Sequence, residues 1–329
     1  MRTLLTFLLA VILAAGAWLA YGLLLPIGPH GQDKFVLLRP GSSARHITRD
    51  LKAAGIIRSA PAFLLLHYWK GVPTLKAGEY KFDHPAPASE VYNRIVRGDI
   101  YVHTLVIPEG YNIFDIANAI QEAGLGSRDD FLLVARTDLA LVRDLDPQAP
   151  SLEGYLFPDT YEFTRTQSLH DIAATMVKRF RQETRPLGLT SGGLHDLVTM
   201  ASIVEKETAV ADERPLVASV FYNRLHRNIV LATDPSVIYA ALLAGRYNGV
   251  IHQSDLLFES AYNTYKHAGL PPGPICNPGL SALRAALDPA RSDFLYFVSD
   301  NNGHHRFARS MQEHARNVAA YRRALADSR

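Results

Sequence analysis

Residues 194–210, LHDLVTMASIVEKETAV, decide how this chain is read. Leu194, Leu197 or Val198, and Ala201 recur at helical spacing, so the stretch predicts an α-helix with one apolar stripe. Glu205 continues that stripe. A carboxylate on such a face is expensive to bury ionised. Desolvation raises its pKa and keeps the proton on longer, which suits a general acid. Lys206 and Glu207 turn away, because about 200° of helix separates Glu205 from Glu207 and sets them on roughly opposite faces. The ordinary reading of Glu205 is a carboxylate at the rim of the core, bonded to a backbone amide or an arginine.

Before that helix, 169–184 predicts another, with Ile172, Met176, Val177 and Phe180 inward. Downstream, Asp212 can cap a helix over 215–225. Residues 230–234 are short and strand-like, and Pro235 opens a helix to residue 243. The run GLPPGPICNPG at 269–279 is too rich in proline for helix or internal strand and predicts a fixed loop. A helix at 280–286, an apolar strand at 294–298 and a terminal helix at 311–325 complete that side. In the other direction, 129–136 and 113–122 predict helices, the latter with Ile113, Ile116, Ala117 and Ile120 on one face, and 101–107 alternates like a strand. Between them and the central helix, SLEGYLFPDTYEF, 151–163, concentrates aromatic residues with Glu153, Asp159 and Glu162. Ordered loops of this composition carry binding surfaces; as plain packing, Tyr155, Phe157 and Tyr161 would cover the core.

Residues 35–103 read as a small α/β module in the order strand, helix, helix, strand, with a third helix over 87–97 stopped by Gly98. Ahead of it, residues 4–25 contain no charge. As a helix these 22 positions span about 33 Å, enough for a bilayer core. Arg2 on the short side places residues 1–3 in the cytoplasm and the remainder outside by the positive-inside tendency. The rival, a cleaved signal peptide, has a shorter apolar run of about 7–15 residues. Three parts follow: a stub and transmembrane anchor at 1–28, the module at 35–103, and a larger mixed α+β domain at 104–329.

Composition narrows the partners. Lys and Arg total 34 against 32 Asp and Glu, and no basic-aromatic stripe or block of like charge appears, so nothing asks for nucleic acid. The single cysteine, Cys276, rules out an internal disulfide and reads as a packed small residue. His304, His305 and His314 are not at ligand spacing with a carboxylate trio and read as surface residues. No metal and no cofactor are expected.

The motifs IPEG (107–110), LEGYLFPDTY (152–161), ASIVEKET (201–208), VFYNRL (220–225), TDPSVIY (233–239), YNTY (262–265) and the 269–279 loop resemble, in order, the endolytic murein transglycosylases of the MltG (YceG-like) family. The anchor fits that family too, and the 35–103 module resembles LysM-like glycan-binding modules by its element order. The resemblance implies that Glu205 is the catalytic acid. It implies cleavage of the MurNAc–GlcNAc bond inside peptidoglycan strands, at the inner (plasma) membrane with the catalytic domain periplasmic, near the penicillin-binding proteins.

Ordinary glycosidases need two carboxylates. A lytic transglycosylase uses the muramyl C6 hydroxyl as internal nucleophile, and intramolecular attack makes a second carboxylate dispensable. Glu205 would protonate the leaving oxygen and then accept the C6 hydroxyl proton, leaving a 1,6-anhydro end. Glu153, Asn223, Asp234, Tyr262, Asn263, Tyr265 and Asn277 are expected to bind or support the substrate, each with a structural hydrogen bond as its ordinary alternative. Two other functions stay open on the residues alone: a hydrolysing muramidase with Glu153 or Asp234 as second carboxylate, and a membrane-tethered glycan-binding scaffold without turnover.

Overall fold

The computed structural model of the chain describes residues 2–189 and 192–327; the first residue of the 1–28 anchor and the last two of the 104–329 domain lie outside them. The fold is mixed α+β, and the chain forms two compact units. Unit 1 holds residues 1–104 and 162–168; unit 2 holds 105–161 and 169–329.

Unit 1 begins with α1 (Arg2–Leu24), an apolar helix long enough to cross a membrane. The module follows as β1 (Lys34–Leu38), α2 (Ala44–Ala53), α3 (Ala60–Trp69), β2 (Gly78–Phe82) and α4 (Ala88–Arg97). Ser43 and Ser59 cap α2 and α3 by accepting backbone N–H groups of His46 and Ala62, satisfying donors that a helix start leaves free. β1 and β2 pair antiparallel with Val36 opposite Tyr80. Val36, Leu38, Ile47, Leu51, Phe63, Tyr80, Phe82, Val91 and Ile95 form one apolar core. The helices and strands expected in this module are all present.

The boundary between the units falls inside β3 (His103–Val106) and β4 (Thr160–Phe163). β4 was hidden in the sequence among the aromatics of 151–163, whose mixture of Gly, Pro and carboxylates masks alternation.

Unit 2 is largely helical: α5 (Ile113–Glu122), α6 (Arg128–Thr137), α7 (Leu169–Thr184), α8 (Leu194–Glu207), α9 (Arg214–His226), α10 (Asp234–Leu243), α11 (Leu280–Leu287) and α12 (Met311–Asp327). The hairpin of β5 (Tyr296–Ser299) and β6 (His305–Ala308) pairs antiparallel. α8 is the centre: Leu194, Val198, Met200, Ala201, Ile203 and Val204 are all buried. Against it pack α9 and α11, and Ala282, Ala285 and Ala286 of α11 let the backbones approach closely.

Several local expectations change. α8 stops at Glu207, because Thr208 is extended and its hydroxyl accepts the N–H of Val210. Asp212 does not cap α9; it sits in a 3₁₀ turn over Ala211–Glu213, and the cap position is Glu213, without a side-chain cap bond. Residues 230–234 make no strand, since Ala232 has a φ of +48° and its N–H goes to Thr264 O. β6 was not foreseen. His304, 59% exposed, lies at the surface as expected, whereas His305 is largely withdrawn; both bind the Glu213 carboxylate, His305 at 2.7 Å.

Candidate active site

The last turn of α8 carries Glu205 into a small, polar enclosure. Its side chain is only 5% exposed, and each carboxylate oxygen has one donor. Arg214 Nη2 at the start of α9 donates to Oε1 at 2.7 Å, and Gly279 N–H donates to Oε2 at 3.0 Å. Gly279 is the N-cap of α11, so the carboxylate faces a helix N-terminus, where negative charge is favoured. The two partners of the ordinary structural reading, an amide and an arginine, are therefore both present. Burial pushes the Glu205 carboxyl above its ordinary value, the Gly279 amide and Arg214 pull it back, and the charge of Glu109 pushes it up again.

Glu109 is a neighbour of Glu205 that sequence reasoning did not single out. It lies in the turn after β3, about half exposed, with Oε2 3.5 Å from the same Arg214 nitrogen that binds Glu205. A Cβ on Gly279 would stand 1.8 Å from Glu109 Oε1, so glycine at 279 is what lets that carboxylate occupy its place. Gly110 completes the wall, with its missing Cβ 3.6 Å from Glu205 Cγ. The IPEG motif contained the signal, but nothing in the sequence said which carboxylate it would meet. Arg214 was missed for the same reason. It is 7% exposed, and its Nε is buried without a partner among the described residues.

The proline-rich loop is fixed, as expected, and its fastening explains several of the candidate residues. Ser202 Oγ on α8 accepts Ile275 N–H. Asn277 Oδ1 accepts the N–H groups of Gly154 and Leu156, and its Nδ2 donates to Glu153 Oε1 and Tyr111 O, all at 2.9 Å. Glu153 Oε2 accepts Ile113 N–H at 2.9 Å. Asn277 and Glu153 thus tie the 151–157 turn, the start of α5 and the loop into one unit, enclosed from solvent. Burial pushes the Glu153 carboxyl up to about 8. Gly154 must be glycine, since φ is +90° and a Cβ would stand 2.5 Å from Pro274. Asn263 is also enclosed: its amide donates to Leu256 and Phe258 carbonyls and its Oδ1 accepts Tyr265 N–H. Asn223 donates to Ser292 and Phe294 carbonyls.

Beside Glu109 a polar cavity of about 400 Å³ is walled by Gly110, Tyr111, Asp115, Glu122 and Lys206. A second, about 340 Å³ and more apolar, shares Asp115 and Lys206 and continues to Pro235, Ile238, Tyr239 and Tyr247. Together they form a groove. Glu205 lines neither cavity; it lies behind Gly110 in the wall of the first, where a Cβ would stand 3.6 Å from Glu205 Cγ. Tyr262 stacks at a tilt on Tyr239, 5.1 Å between centroids, behind that groove. The larger cavity of about 660 Å³ at Leu187, Pro215, Leu280 and Arg284 holds none of the buried carboxylates.

Glu207 faces elsewhere, as its helical spacing requires. It accepts the Thr233 hydroxyl and lies in a further cavity, about 250 Å³, with Arg224, Asp234, Tyr265 and His314. Tyr265 donates to Asp234 Oδ1 at 2.7 Å. The structure therefore gathers Glu205 with Glu109 and Arg214, and sets Asp234 and Tyr265 with Glu207 instead.

Comparison with known proteins now decides the family. Residues 36–320 match the YceG-like family. The chain belongs to that family. Within it, the chain is similar to the endolytic murein transglycosylase of Bacillus subtilis (strain 168), at 34% identity over 83% of this chain and 81% of that protein. It is similar to the endolytic murein transglycosylase of Streptococcus pneumoniae (strain D39) at 30% identity, over 94% of this chain and 63% of that longer protein. A crystal structure of a YceG-like protein from Listeria monocytogenes superposes with a TM-score of 0.56 at 33% identity, covering 87% of this chain and 99% of that one.

Proposed function

We propose that this YceG-like chain is an endolytic murein transglycosylase, cleaving MurNAc–GlcNAc bonds inside peptidoglycan strands with Glu205 as its single acid and base. The names of its relatives support the substrate and the endolytic action. The observation that carries the residue assignment is a buried carboxylate held by Gly279 and Arg214 beside a groove-lining second carboxylate. In the first half-reaction the Glu205 proton passes to the glycosidic oxygen, and the C1–O4 bond breaks. Positive charge develops at muramyl C1. Glu109, facing the groove, supplies negative potential near that charge. In the second half-reaction the Glu205 carboxylate accepts the C6 hydroxyl proton as O6 bonds to C1. No water is consumed, and Glu205 ends protonated as it began.

The catalytic pose of Glu205 rests on groups that never touch sugar. Asn277 and Glu153 serve as positioning residues for the loop, and Asn263 braces the 255–265 segment, in keeping with their enclosure. Asp234 and Tyr265 lie with Glu207 at the other cavity and serve an outer part of the strand; Tyr262 backs the groove wall, and Asn223 anchors α9 to the 292–294 segment. Helix α1 serves as a single-pass membrane anchor with the remainder extracytoplasmic, near penicillin-binding synthases. Its retention is supported by Arg58, which binds the Leu25 and Pro26 carbonyls just beyond it. The 35–103 module serves as a LysM-like glycan-binding element, supported by its strand–helix–helix–strand order.

One observation favours a second reading. Glu109 and Glu205 share one guanidinium nitrogen, so a second carboxylate stands near Glu205, as hydrolysis would require, and it is Glu109 where Glu153 or Asp234 was expected. Mass spectrometry of sacculi digested by the purified protein separates the two. Anhydro-muropeptides, one water lighter than reducing ends, support the transglycosylase; reducing ends sink it, and unchanged sacculi leave the scaffold.

A further inference from the structure

Helix α3 is apolar on both sides, which a helix of a water-borne module is not. Its inner face, Ala62, Phe63, Leu66 and His67, is buried in the core of the module. Its outer face carries Leu65 (51% exposed), Tyr68 (58%) and Trp69 (79%), and Val72 (55%) continues it just past the helix end. Positions 65, 68, 69 and 72 fall at helical spacing, on a face that also includes exposed Pro61. The helix contains no Asp, Glu, Lys or Arg. The first charge, Lys70, follows directly, its ammonium 5.6 Å from the Trp69 ring.

This helix is fastened to the end of α1. Of the described residues of α1, only Leu19, Gly22 and Leu23 are shielded, all within its last two turns. A Cβ on Gly22 would stand 3.0 Å from Ala62 Cβ and 3.3 Å from Ser59 Cβ, so the two backbones nearly touch. Arg58, just before α3, stacks on Tyr21 of α1 at 5.0 Å and donates to Pro26 O at 3.0 Å. With α1 across a hydrocarbon core about 30 Å thick, Leu19 lies within about 8 Å of the helix's C-terminal end. The start of α3 is therefore held at the level of the headgroups.

We propose that α3 is an interfacial helix, with Leu65, Tyr68, Trp69 and Val72 resting in the headgroup–acyl boundary of the leaflet from which α1 emerges. The proposal rests on the reading of α1 as a membrane span. Tyrosine and tryptophan favour that boundary, and helices of this kind sink about 5–10 Å into it. Charge complements the contact. Residues 26–104 carry eleven Lys and Arg against six Asp and Glu, which favours anionic headgroups. Docking of α3 would fix the module against the bilayer, where a lone anchor would let it swing.

The two tryptophans of the chain, Trp18 in α1 and Trp69, make the test direct. The full chain carrying Trp18→Phe is reconstituted into phosphatidylethanolamine–phosphatidylglycerol vesicles, leaving Trp69 as the only indole. Flotation and carbonate extraction first establish that the chain is anchored. The expected result is a blue-shifted Trp69 emission, quenched by shallowly brominated lipid and protected from aqueous iodide. Adding Leu65→Ser and Tyr68→Ser, both at exposed positions, should return the emission toward that of water-exposed indole. A water-like, iodide-quenched Trp69 in anchored chains overturns the proposal. So does protection from iodide without quenching by brominated lipid, which would mean that protein covers the face. Release of the chain by carbonate overturns the span reading and the proposal with it, while leaving the murein assay unaffected.

Discussion

Arg214 Nη2 stands 2.7 Å from Glu205 Oε1, and both side chains are more than nine-tenths withdrawn from solvent. A guanidinium so placed favours the carboxylate, whereas burial favours the acid, and the balance leaves Glu205 above its ordinary pKa. In the proposed mechanism Glu205 first gives a proton and then takes one, and that balance suits both steps. A carboxyl too stable as an acid would not donate, and one too stable as an anion would not be protonated at the start.

Glu205→Gln should lower the release of cleaved murein by at least about 10²–10⁴-fold, the usual contribution of a positioned acid–base group. Glutamine keeps the shape and the acceptor toward Gly279 but turns its NH2 toward the Arg214 guanidinium, so circular dichroism should stay unchanged while the thermal midpoint falls. Turnover close to wild type would remove Glu205 from the mechanism.

Arg214→Ala should destabilise the protein by about 3–5 kcal/mol, because it leaves a buried carboxylate unpaired. Combining it with Glu205→Gln should recover a large part of that loss. Urea unfolding of the two singles and the double gives the coupling; additive losses would show that the pair is not a unit.

Glu109→Gln should move the alkaline limb of kcat/KM to lower pH. In the proposed mechanism Glu205 acts in its protonated form, so activity should fall as pH rises through its pKa. The negative charge of Glu109 holds that pKa up, and its removal lets it fall. Gly279→Ala should shift the limb the same way, since its Cβ displaces the Glu109 carboxylate while φ at −77° suits alanine. A pH–rate profile on solubilised murein reads both; unmoved limbs would deny the coupling.

Glu153 should make stability fall with rising pH. Its carboxyl is raised in the folded chain from an ordinary 4.5 to about 8, so folding favours the protonated form. That stabilisation is complete below about pH 4.5 and is lost progressively as pH rises to about 8. Glu153→Gln should flatten this part of the profile. Scanning calorimetry between those limits tests it, and an unchanged slope would place the titration elsewhere.

Helices were readable because their signals are local. Ile113, Ile116 and Ile120, or Met176 and Phe180, must lie on one face whatever surrounds them, and α5 and α7 bury those side chains. The opposite orientations of Glu205 and Glu207 follow from the same geometry. β4 and β6 were not readable, since short strands depend on a partner elsewhere in the chain. Residues 230–234 have a strand-like pattern but spend the Ala232 N–H on Thr264, a choice made 32 residues away.

By itself the sequence determined where the helices lie, that Glu205 and Glu207 would face opposite ways on α8, and that 269–279 must be a rigid loop. Only the tertiary structure decided what meets Glu205. Arg214, Gly279 and Glu109 come from three separate segments, and Asn277 turned out to brace the loop with all its polar capacity. The physical reason is that helical periodicity is fixed by neighbours three and four residues apart. A buried charge takes its partners from whatever the packing brings within about 3 Å, and no local pattern encodes that.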